Sequence, residues 1–415
     1  MKATGIVRLA LVVALIAFGL TDGTYAFHSG GTGECTGCHS MHSAKASGSW
    51  LLRQSDPSSV CLTCHMDTND AGPTTHAVAT NEARMPAGVA PLERTPGGDF
   101  SWLKKNYTYT IDGGAVQENG STHGHNIVAA DFDFLADSTN TTAPGGTFSA
   151  SELGCTSCHD PHGKYRRFAD GTIATTGAPI VGSGSYATSP VPQAGHAVGV
   201  YRLLAGTGYT RGGVTFNGVP AAVSPEAYNR SEATTQTRVA YGNATGSGRE
   251  SWSAWCATCH PQMMSQGHSV DRALGSTVRD TYAAYIKSGD MTGTLASSYL
   301  SLVPFVENTS NYAELSAHAK IDDSALGGPQ SSDMVSCLTC HRAHASGWEH
   351  MMRWNDKATS ITSNGAWPGT DTTPSEPQFA RGRASAEARA AYYDRPVSVF
   401  ASYQRTLCSK CHARD

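Results

Sequence analysis

The stretch Cys35-Thr36-Gly37-Cys38-His39 decides how this chain is built. The five other copies of the pattern C-x-x-C-H run from Cys61 to His65, Cys155 to His159, Cys256 to His260, Cys337 to His341 and Cys408 to His412. Two thiols three residues apart match the two vinyl groups of one porphyrin, and the adjacent histidine reaches the iron from one face. The sequence therefore predicts six covalently attached c-type haems (haem c), numbered I to VI below.

All twelve cysteines of the chain belong to these six motifs, so none is left over for a disulfide. The predicted thioether-forming residues are Cys35, Cys38, Cys61, Cys64, Cys155, Cys158, Cys256, Cys259, Cys337, Cys340, Cys408 and Cys411. The predicted proximal iron ligands are His39, His65, His159, His260, His341 and His412. Zinc ribbons and redox C-x-x-C sites are the alternatives, but neither requires a histidine directly after every second cysteine.

The N-terminal residues 1–26 have the features of a secretory signal peptide. Lys2 and Arg8 precede an apolar run of twelve residues, Leu9 to Leu20, which is too short to span a membrane. Thr24-Tyr25-Ala26 resembles a cleavage site. We therefore expect an exported protein whose mature part, residues 27–415, is a single hexahaem domain without a membrane span.

The composition predicts an unusual interior. The chain contains 44 Gly and 19 Pro among 415 residues, and its mean hydropathy is −0.30. Porphyrin faces can replace aliphatic side chains as a core, so we expect mostly irregular coil with short α-helices and little β-structure, wrapped around a row of six haems. The formal net charge of −4 argues against a nucleic-acid partner.

Few segments have a clear periodicity. Residues 105–111 alternate apolar and polar side chains and predict a short strand. Helices are predicted from Ser276 or Thr277 to Gly289, over 312–320 and 385–393, and after Pro396, where the last would carry the sixth motif. The sequence Pro-Gly-Gly-Asp-Phe-Ser at 96–101 is echoed as Pro-Gly-Gly-Thr-Phe-Ser at 144–149, which is consistent with a duplicated turn.

The second axial ligand decides what each iron can do. An iron closed by two histidines carries electrons, whereas an open position allows catalysis. Seventeen histidines minus six proximal ones leave eleven, enough to close every iron. His42, His162 and His344 each lie three residues after a proximal histidine. On a helical turn the two side chains share a face, so the second is expected to reach a neighbouring iron.

Five further histidines are candidate distal ligands: His28, His76, His125, His268 and His318. His123, His196 and His350 are expected to be structural or solvent-exposed. Lys164, Arg166 and Arg167 follow motif III and either pair with haem propionates or form an exposed basic turn.

Several stretches resemble the outer-surface, filament-forming hexahaem c-type cytochromes of metal-reducing bacteria. The resembling stretches are Phe27 to Gly31, Cys155 to Phe168, Glu232 to Gly242 and Cys337 to Ser346. The resemblance implies a homopolymeric filament with bis-histidine haems continuous between subunits, in which His42 ligates haem V of the neighbouring subunit. The chain departs from the family at 43–60, at 185–220, after His260 and at 355–385, which are expected to be loops.

Long-range electron transfer at the outer cell surface is the favoured hypothesis, and no catalytic residue is predicted. Other multihaem cytochromes and extracellular acceptors such as metal oxides are the expected partners. Two alternatives stay open: a multihaem reductase with one open haem, and a monomeric electron shuttle in the periplasm.

Overall fold

The computed structural model describes residues 35–45, 51–66, 72–244, 248–265 and 269–412. Most of this backbone is irregular, and its α-helices are at most ten residues long. The expected fold class is thereby confirmed. Within the described ranges, no helix combines the length and apolarity needed to cross a membrane.

The helices and strands are numbered in chain order. The α-helices are α1 Cys35–Cys38, α2 Pro57–His65, α3 Cys155–Cys158, α4 Trp252–Ala257, α5 Gly275–Ala284, α6 Tyr312–His318, α7 Cys337–Cys340, α8 Pro377–Ala380 and α9 Ser385–Ala391. The 3₁₀ turns are Glu82–Arg84, Phe100–Lys104, Gly120–His123, Ala130–Phe132, Ala150–Glu152, Tyr201–Leu203, Pro261–Ser265, Leu295–Ser297, Asp323–Ala325, Glu349–Met351, Val397–Val399 and Leu407–Lys410.

The strands form small separate sheets. The strands are β1 Tyr107–Ile111, β2 Gly114–Glu118, β3 Arg166–Arg167, β4 Ile173–Ala174, β5 Val198–Gly199, β6 Thr210–Arg211, β7 Val214–Thr215, β8 Ala222–Val223, β9 Ala240–Gly242 and β10 Val306–Glu307. β1 and β2 form an antiparallel hairpin, as do β6 and β7. β3 pairs with β4 and β5, and β9 lies between β8 and β10. These short strand pairs connect loops to one another and do not form a continuous sheet.

Most of the elements expected from periodicity are present, with shifted ends. The predicted strand is β1, and the helices expected at 312–320 and 385–393 are α6 and α9. The helix expected to end at Gly289 ends at Ala284 and begins without a side-chain cap. The helix expected after Pro396 is wrong: only two separate 3₁₀ turns form there, because the intervening chain folds back so that the amide of Gln404 donates to Thr362 Oγ1 at 2.8 Å.

The buried apolar side chains form four clusters, and aromatic residues dominate the largest of them. That cluster includes Trp348, Trp354, Trp367 and Tyr392, with the rings of Trp367 and Tyr392 stacked at 4.5 Å between centroids. Two of the cysteines, Cys340 and Cys411, pack against the same cluster. The aromatic core is therefore built around attachment motifs, as expected for a chain that uses porphyrin as part of its interior.

Motifs I, III and V share one backbone arrangement. After each motif's histidine the chain returns, and the histidine forms an antiparallel bridge: His39 with Leu52, His159 with Leu204 and His341 with Met352. The equivalent amide bonds run from Arg53, Ala205 and Arg353 to the carbonyls of Cys38, Cys158 and Cys340, at 2.8 to 2.9 Å. The odd-numbered motifs are thus structural repeats, and they are also the three motifs with a second histidine three residues after the proximal one.

Motifs II and IV sit on longer helices that pack on the odd motif that follows. In α2 the helix starts at Pro57 and Asp56 caps it, accepting from Ser59 N at 2.8 Å. Ser58 Oγ of α2 accepts from the amide of Cys155 at 3.1 Å, and Ser253 Oγ of α4 accepts from the amide of Cys337 at 3.3 Å. Motif II is therefore attached to motif III, and motif IV to motif V, by the same contact.

A buried ionic network ties the hairpin β1–β2 to the C-terminal part. Arg383 is fully buried, donates to Gly347 O at 2.7 Å and pairs with Glu118. Glu118 also bonds His123 Nε2 at 2.8 Å. Burial alone raises the pKa of Glu118, but the hydrogen bond from His123 and the charge of Arg383 lower it to about 2. The carboxylate is therefore ionised and depends on its two cations, Arg383 and Arg381.

Replacing Arg383 by Met should lower the free energy of unfolding by roughly 3 kcal/mol, because buried Glu118 loses its hydrogen-bonded cation and keeps only Arg381, whose Nε lies 3.5 Å from Oε2. The check is guanidinium denaturation of the six-haem protein followed by far-UV circular dichroism. The matched control is Arg389→Met: Arg389 is 55% exposed and lies 3.7 Å from Asp394, so that change should stay within about 0.5 kcal/mol. Equal effects of the two substitutions would contradict the assignment.

Candidate haem-binding site

Each odd motif is a single helical turn followed at once by extended backbone. α3 and α7 end at the second cysteine, and the next residue, His159 or His341, is an extended C-cap with φ of −113° or −106°. His162 and His344 therefore lie past a bend rather than on a helical face. The expectation that the two histidines of C-x-x-C-H-x-x-H share a helical face is wrong, because the helix stops before the first of them.

The six motifs follow one another in space in chain order. The thiol of Cys38 interacts electrostatically with Cys61 and Cys64, and that of Cys158 with Cys259. Cys340 interacts in the same way with Cys408 and Cys411. The thiols of Cys61 and Cys155 are hydrogen-bonded, as are those of Cys256 and Cys337. The attachment points thus form an uninterrupted series from motif I to motif VI.

The ring nitrogen nearest the backbone, Nδ1, is held by a main-chain carbonyl in the proximal histidines of four motifs. His65 lies 2.8 Å from His76 O, His159 2.7 Å from Arg202 O, His260 2.9 Å from Pro144 O and His341 2.8 Å from His350 O. A carbonyl can only accept, so Nδ1 carries the proton and Nε2 keeps its lone pair. This is the tautomer that an iron ligand requires, and the residues fit a haem.

Two further histidines face proximal ones across a gap of the right size. The ring centroids of His159 and His344 are 6.4 Å apart, and those of His260 and His125 are 6.1 Å apart. With metal–nitrogen bonds of about 2 Å, two imidazoles on opposite sides of one iron place their centroids roughly 6 Å apart. The spacing of each pair would accommodate one iron, with His344 opposite His159 and His125 opposite His260.

The two facing histidines are also held to each other. The amide of His125 donates to His344 O at 2.9 Å, and Gly124 bridges Ala345. His125 Nδ1 lies 2.8 Å from Ala343 O, and His344 Nδ1 lies 3.3 Å from Gly98 O. One short two-stranded contact thus positions both of these candidate ligands.

The duplicated Pro-Gly-Gly turn supports this arrangement twice. The first copy packs against His344, and a Cβ on Gly98, whose φ is +92°, would lie 1.7 Å from Ala345 O. The second copy supplies Pro144 O to His260, and a Cβ on Gly146 would lie 1.9 Å from Cys259 O. Each glycine permits a backbone approach that brings a carbonyl to a ligand histidine. The two similar Pro-Gly-Gly stretches therefore have the same structural role: each places a carbonyl next to a histidine.

Two of the accepting carbonyls lie on residues that the sequence did not single out for this role. Arg202 and His350 both have left-handed backbone, with φ of +53° and +57°, and their carbonyls accept from His159 and His341. Non-glycine residues rarely adopt this conformation, and such strain concentrates at functional sites. His350 was expected to be structural or exposed; its side chain is exposed, but its carbonyl orients a proximal histidine.

The surroundings of these histidines favour the uncharged ring. Desolvation lowers the pKa of His65, His159 and His341 from its usual value. It lowers the pKa of His125 to about 4 and that of His344 to about 3, each helped by a facing histidine. Neutral imidazole is the form that binds iron, so these sites present ligands that are ready for the metal at neutral pH.

Buried arginines with an unpartnered nitrogen fit the propionates of the haems. Nε of Arg167 and Arg342 is buried without a hydrogen-bond partner, and the two residues are 5% and 3% exposed. A buried cation needs an anion, and a propionate carboxylate supplies one. Arg166, by contrast, bonds three main-chain carbonyls, and Lys164 lies over tyrosine rings. Of the three basic residues singled out in the sequence, Arg167 is the one suited to this role.

The remaining candidate ligands are placed differently. His42 is exposed, and His162 is 75% exposed with Nδ1 3.8 Å from Asp160. His76 Nε2 lies 2.9 Å from the Tyr186 hydroxyl, so this nitrogen must leave that contact before it can reach an iron. His318 Nδ1 lies 2.7 Å from Glu307.

Three other histidines complete the picture. His28 and His268 lie outside the described residues. Both nitrogens of His123 are engaged, one by Trp102 O at 2.9 Å and the other by Glu118. His123 is thus a structural histidine in this arrangement.

Comparison with known proteins agrees with the geometry. The family model described as a doubled CXXCH motif matches residues 28–70. The C-type cytochrome OmcS of Geobacter sulfurreducens is 50% identical over 98% of this chain and 99% of its own length. The chain belongs to the OmcS family of c-type cytochromes. Each C-x-x-C-H motif is therefore an attachment site for a covalently bound c-type haem.

The solved structures of OmcS share the fold. A cryo-EM structure of OmcS nanowires from Geobacter sulfurreducens and a structure of the outer membrane cytochrome S filament from the same organism each superpose with a TM-score of 0.85 at 49% identity. Each match covers 94% of this chain and 100% of the other. The described fold is therefore that of the OmcS subunit.

Substituting His344 by Ala should convert one of the six haems to a five-coordinate, high-spin state, because His159 then loses the imidazole that faces it. The check is the high-spin signal in the ferric EPR and optical spectra, with six haems verified by mass. The control is His196→Ala, since His196 is exposed on a turn; it should leave all haems low-spin. An unchanged spectrum for the His344 variant would disprove this ligand pair.

Proposed function

We propose that this protein carries electrons over long distances outside the cell as a homopolymer with an unbroken row of haems. The main support for this proposal is that the six attachment motifs follow one another in space in chain order. The chain also belongs to the OmcS family. When bound, each haem iron takes up and releases one electron. The polypeptide fixes the order of the irons and the ligands on both of their faces.

The proposed proximal ligands are the six motif histidines. His344 is assigned as the distal ligand of haem III and His125 as that of haem IV, from the facing ring pairs. His28, His42, His76, His162, His268 and His318 are the candidates for the other four irons. Two imidazoles on each iron leave no position for a substrate, so the protein acts as an electron carrier rather than a catalyst.

The contacts between motifs follow a strict alternation. The second cysteine of motif I interacts with both cysteines of motif II, whereas motifs II and III meet through their first cysteines, Cys61 and Cys155; this order repeats up to V and VI. The next contact in the series joins the first cysteine of motif VI to the first cysteine of a motif I. Cys408 and Cys35 are both exposed. Repeating this contact between copies would join Cys408 of one copy to Cys35 of the next.

Apolar side chains are exposed at both ends of this series. Met41 is 79% exposed beside motif I. Ile286 and Tyr403 are exposed beside motif VI, where Lys410 Nζ bonds Tyr285 O at 2.6 Å. Exposed apolar groups favour burial against a partner. Both ends are therefore suited to head-to-tail association of copies, and the solved structures of OmcS are those of nanowires and filaments.

His42 is proposed to ligate haem V of the neighbouring subunit, following the family resemblance. Two features of this chain support the assignment: the His42 ring is exposed next to Met41, and Nδ1 of His341 is held by His350 O so that Nε2 stays available. An intersubunit ligand would make haem V complete only in the polymer.

His42→Ala should abolish filaments while six haems stay attached, and haem V should become high-spin. Negative-stain electron microscopy and the ferric EPR spectrum are the readouts, with His196→Ala as the control that still polymerises. A periplasmic shuttle would behave otherwise: wild type would be monomeric under all conditions. An enzyme with an open haem would show a high-spin component in wild type, which also contradicts the proposal.

Residues 1–26 are proposed to be a cleaved signal peptide, and residues 27–415 a single hexahaem domain. Export brings the chain to the outer surface, where other multihaem cytochromes would deliver electrons and extracellular acceptors such as metal oxides would receive them. Intact-mass analysis of the secreted protein tests this directly: it should correspond to a chain starting at Phe27 with six haems.

A further inference from the structure

One candidate ligand has a charged group behind it. His318 Nδ1 lies 2.7 Å from Oε2 of Glu307. Six other candidate ligands in the described part of the chain use neutral main-chain carbonyls instead: His65, His125, His159, His260, His341 and His344. His162 lies near Asp160, but their 3.8 Å separation is beyond hydrogen-bond range. Glu307 is thus a distinct kind of partner.

The carboxylate is fixed in this position. Glu307 lies in β10 and is 6% exposed. Its other oxygen, Oε1, accepts from Nη2 of Arg238 at 2.9 Å. Arg238 is held in turn by Ala325 O at 2.8 Å and Gly327 O at 2.9 Å. Each oxygen of Glu307 therefore has its own partner, and the side chain cannot rotate away from His318 without leaving the arginine.

We propose that Glu307 is a positioning residue that makes His318 the most strongly electron-donating of these ligands, so that the haem it binds has the most negative reduction potential among them. This rests on the proposed role of His318 as an axial ligand. A carboxylate that accepts the Nδ1 proton increases the basicity of Nε2, which stabilises ferric over ferrous iron. Arg238 balances part of the charge but bonds the opposite oxygen.

The haem with the most negative reduction potential is the one that is reduced for the smallest fraction of the time. Its position would set the potential difference that electrons must cross between the haems on either side. A single side chain outside the attachment motifs would then set the reduction potential of one haem. Neither the attachment of that haem nor the number of its ligands would change.

The test is Glu307→Gln in the six-haem protein, followed by spectroelectrochemical titration and ferric EPR. The amide oxygen can still accept from His318, but the charge is gone. One of the six one-electron steps should shift to a more positive potential, by about tenfold in its reduction equilibrium or about 59 mV. The low-spin EPR signal of one haem should change as its ligand field weakens.

Glu314→Gln is the matched control. Glu314 lies in the same helix as His318 and bonds Thr309 at 2.6 Å and Asn311 at 3.1 Å. The substitution removes the same charge without touching the histidine, so the titration should superpose on that of wild type. An equal shift in both variants would show a general electrostatic effect and overturn the proposal.

Two further variants separate the possible failures. If His318→Ala leaves all six haems low-spin, His318 is not an axial ligand. The proposed effect of Glu307 on a haem potential is then refuted as well. If His318→Ala produces a high-spin haem but Glu307→Gln leaves every potential and EPR signal unchanged, only the role of Glu307 is refuted. Should the Gln variant fail to assemble six haems, Glu307→Asp must shift the same step in the same direction by a smaller amount.

Discussion

The hydrogen bond from an imidazole Nδ1 to a main-chain carbonyl is the interaction on which the structure depends. It fixes the tautomer and aims Nε2 at the iron. The accepting carbonyls come from remote parts of the chain: Pro144 for His260, Arg202 for His159 and Ala343 for His125. The loops are therefore ligand supports, and a largely irregular backbone is as necessary here as a sheet is in other folds.

One packing rule connects the site to the assembly. Even-numbered motifs on helices receive the amide of the following odd motif on a serine, as Ser58 and Ser253 show. An even motif meets the following odd motif through first cysteines, and the second cysteine of an odd motif meets both cysteines of the following even motif. In such an alternating series, motif I and motif VI of each copy have a neighbouring motif on one side only. Polymerisation therefore requires no new kind of contact, only the repetition between copies of one that occurs twice within each.

Covalent chemistry explains how much the sequence could predict. Because haem attachment requires the spacing of C-x-x-C-H, the sequence predicts all six attachment sites, the number of haems and the coil-rich fold. The periodicity of apolar residues predicts α6, α9 and β1. The helical geometry at His162 and His344 was wrong because each helix ends at a cysteine. The carbonyls of Arg202 and His350 were missed since a main-chain acceptor leaves no trace in side-chain identity. Which histidines face each other is decided by long-range folding alone.

A cryo-EM map of the assembled holoprotein tests the central claim most directly, because it shows the order of the haems and both ligands of each iron. The account predicts six haems per copy in chain order, each between two imidazoles, with Cys408 of one copy beside Cys35 of the next. Haems out of chain order, an iron with one open face, or a copy whose sixth haem is isolated from the first haem of its neighbour would contradict it.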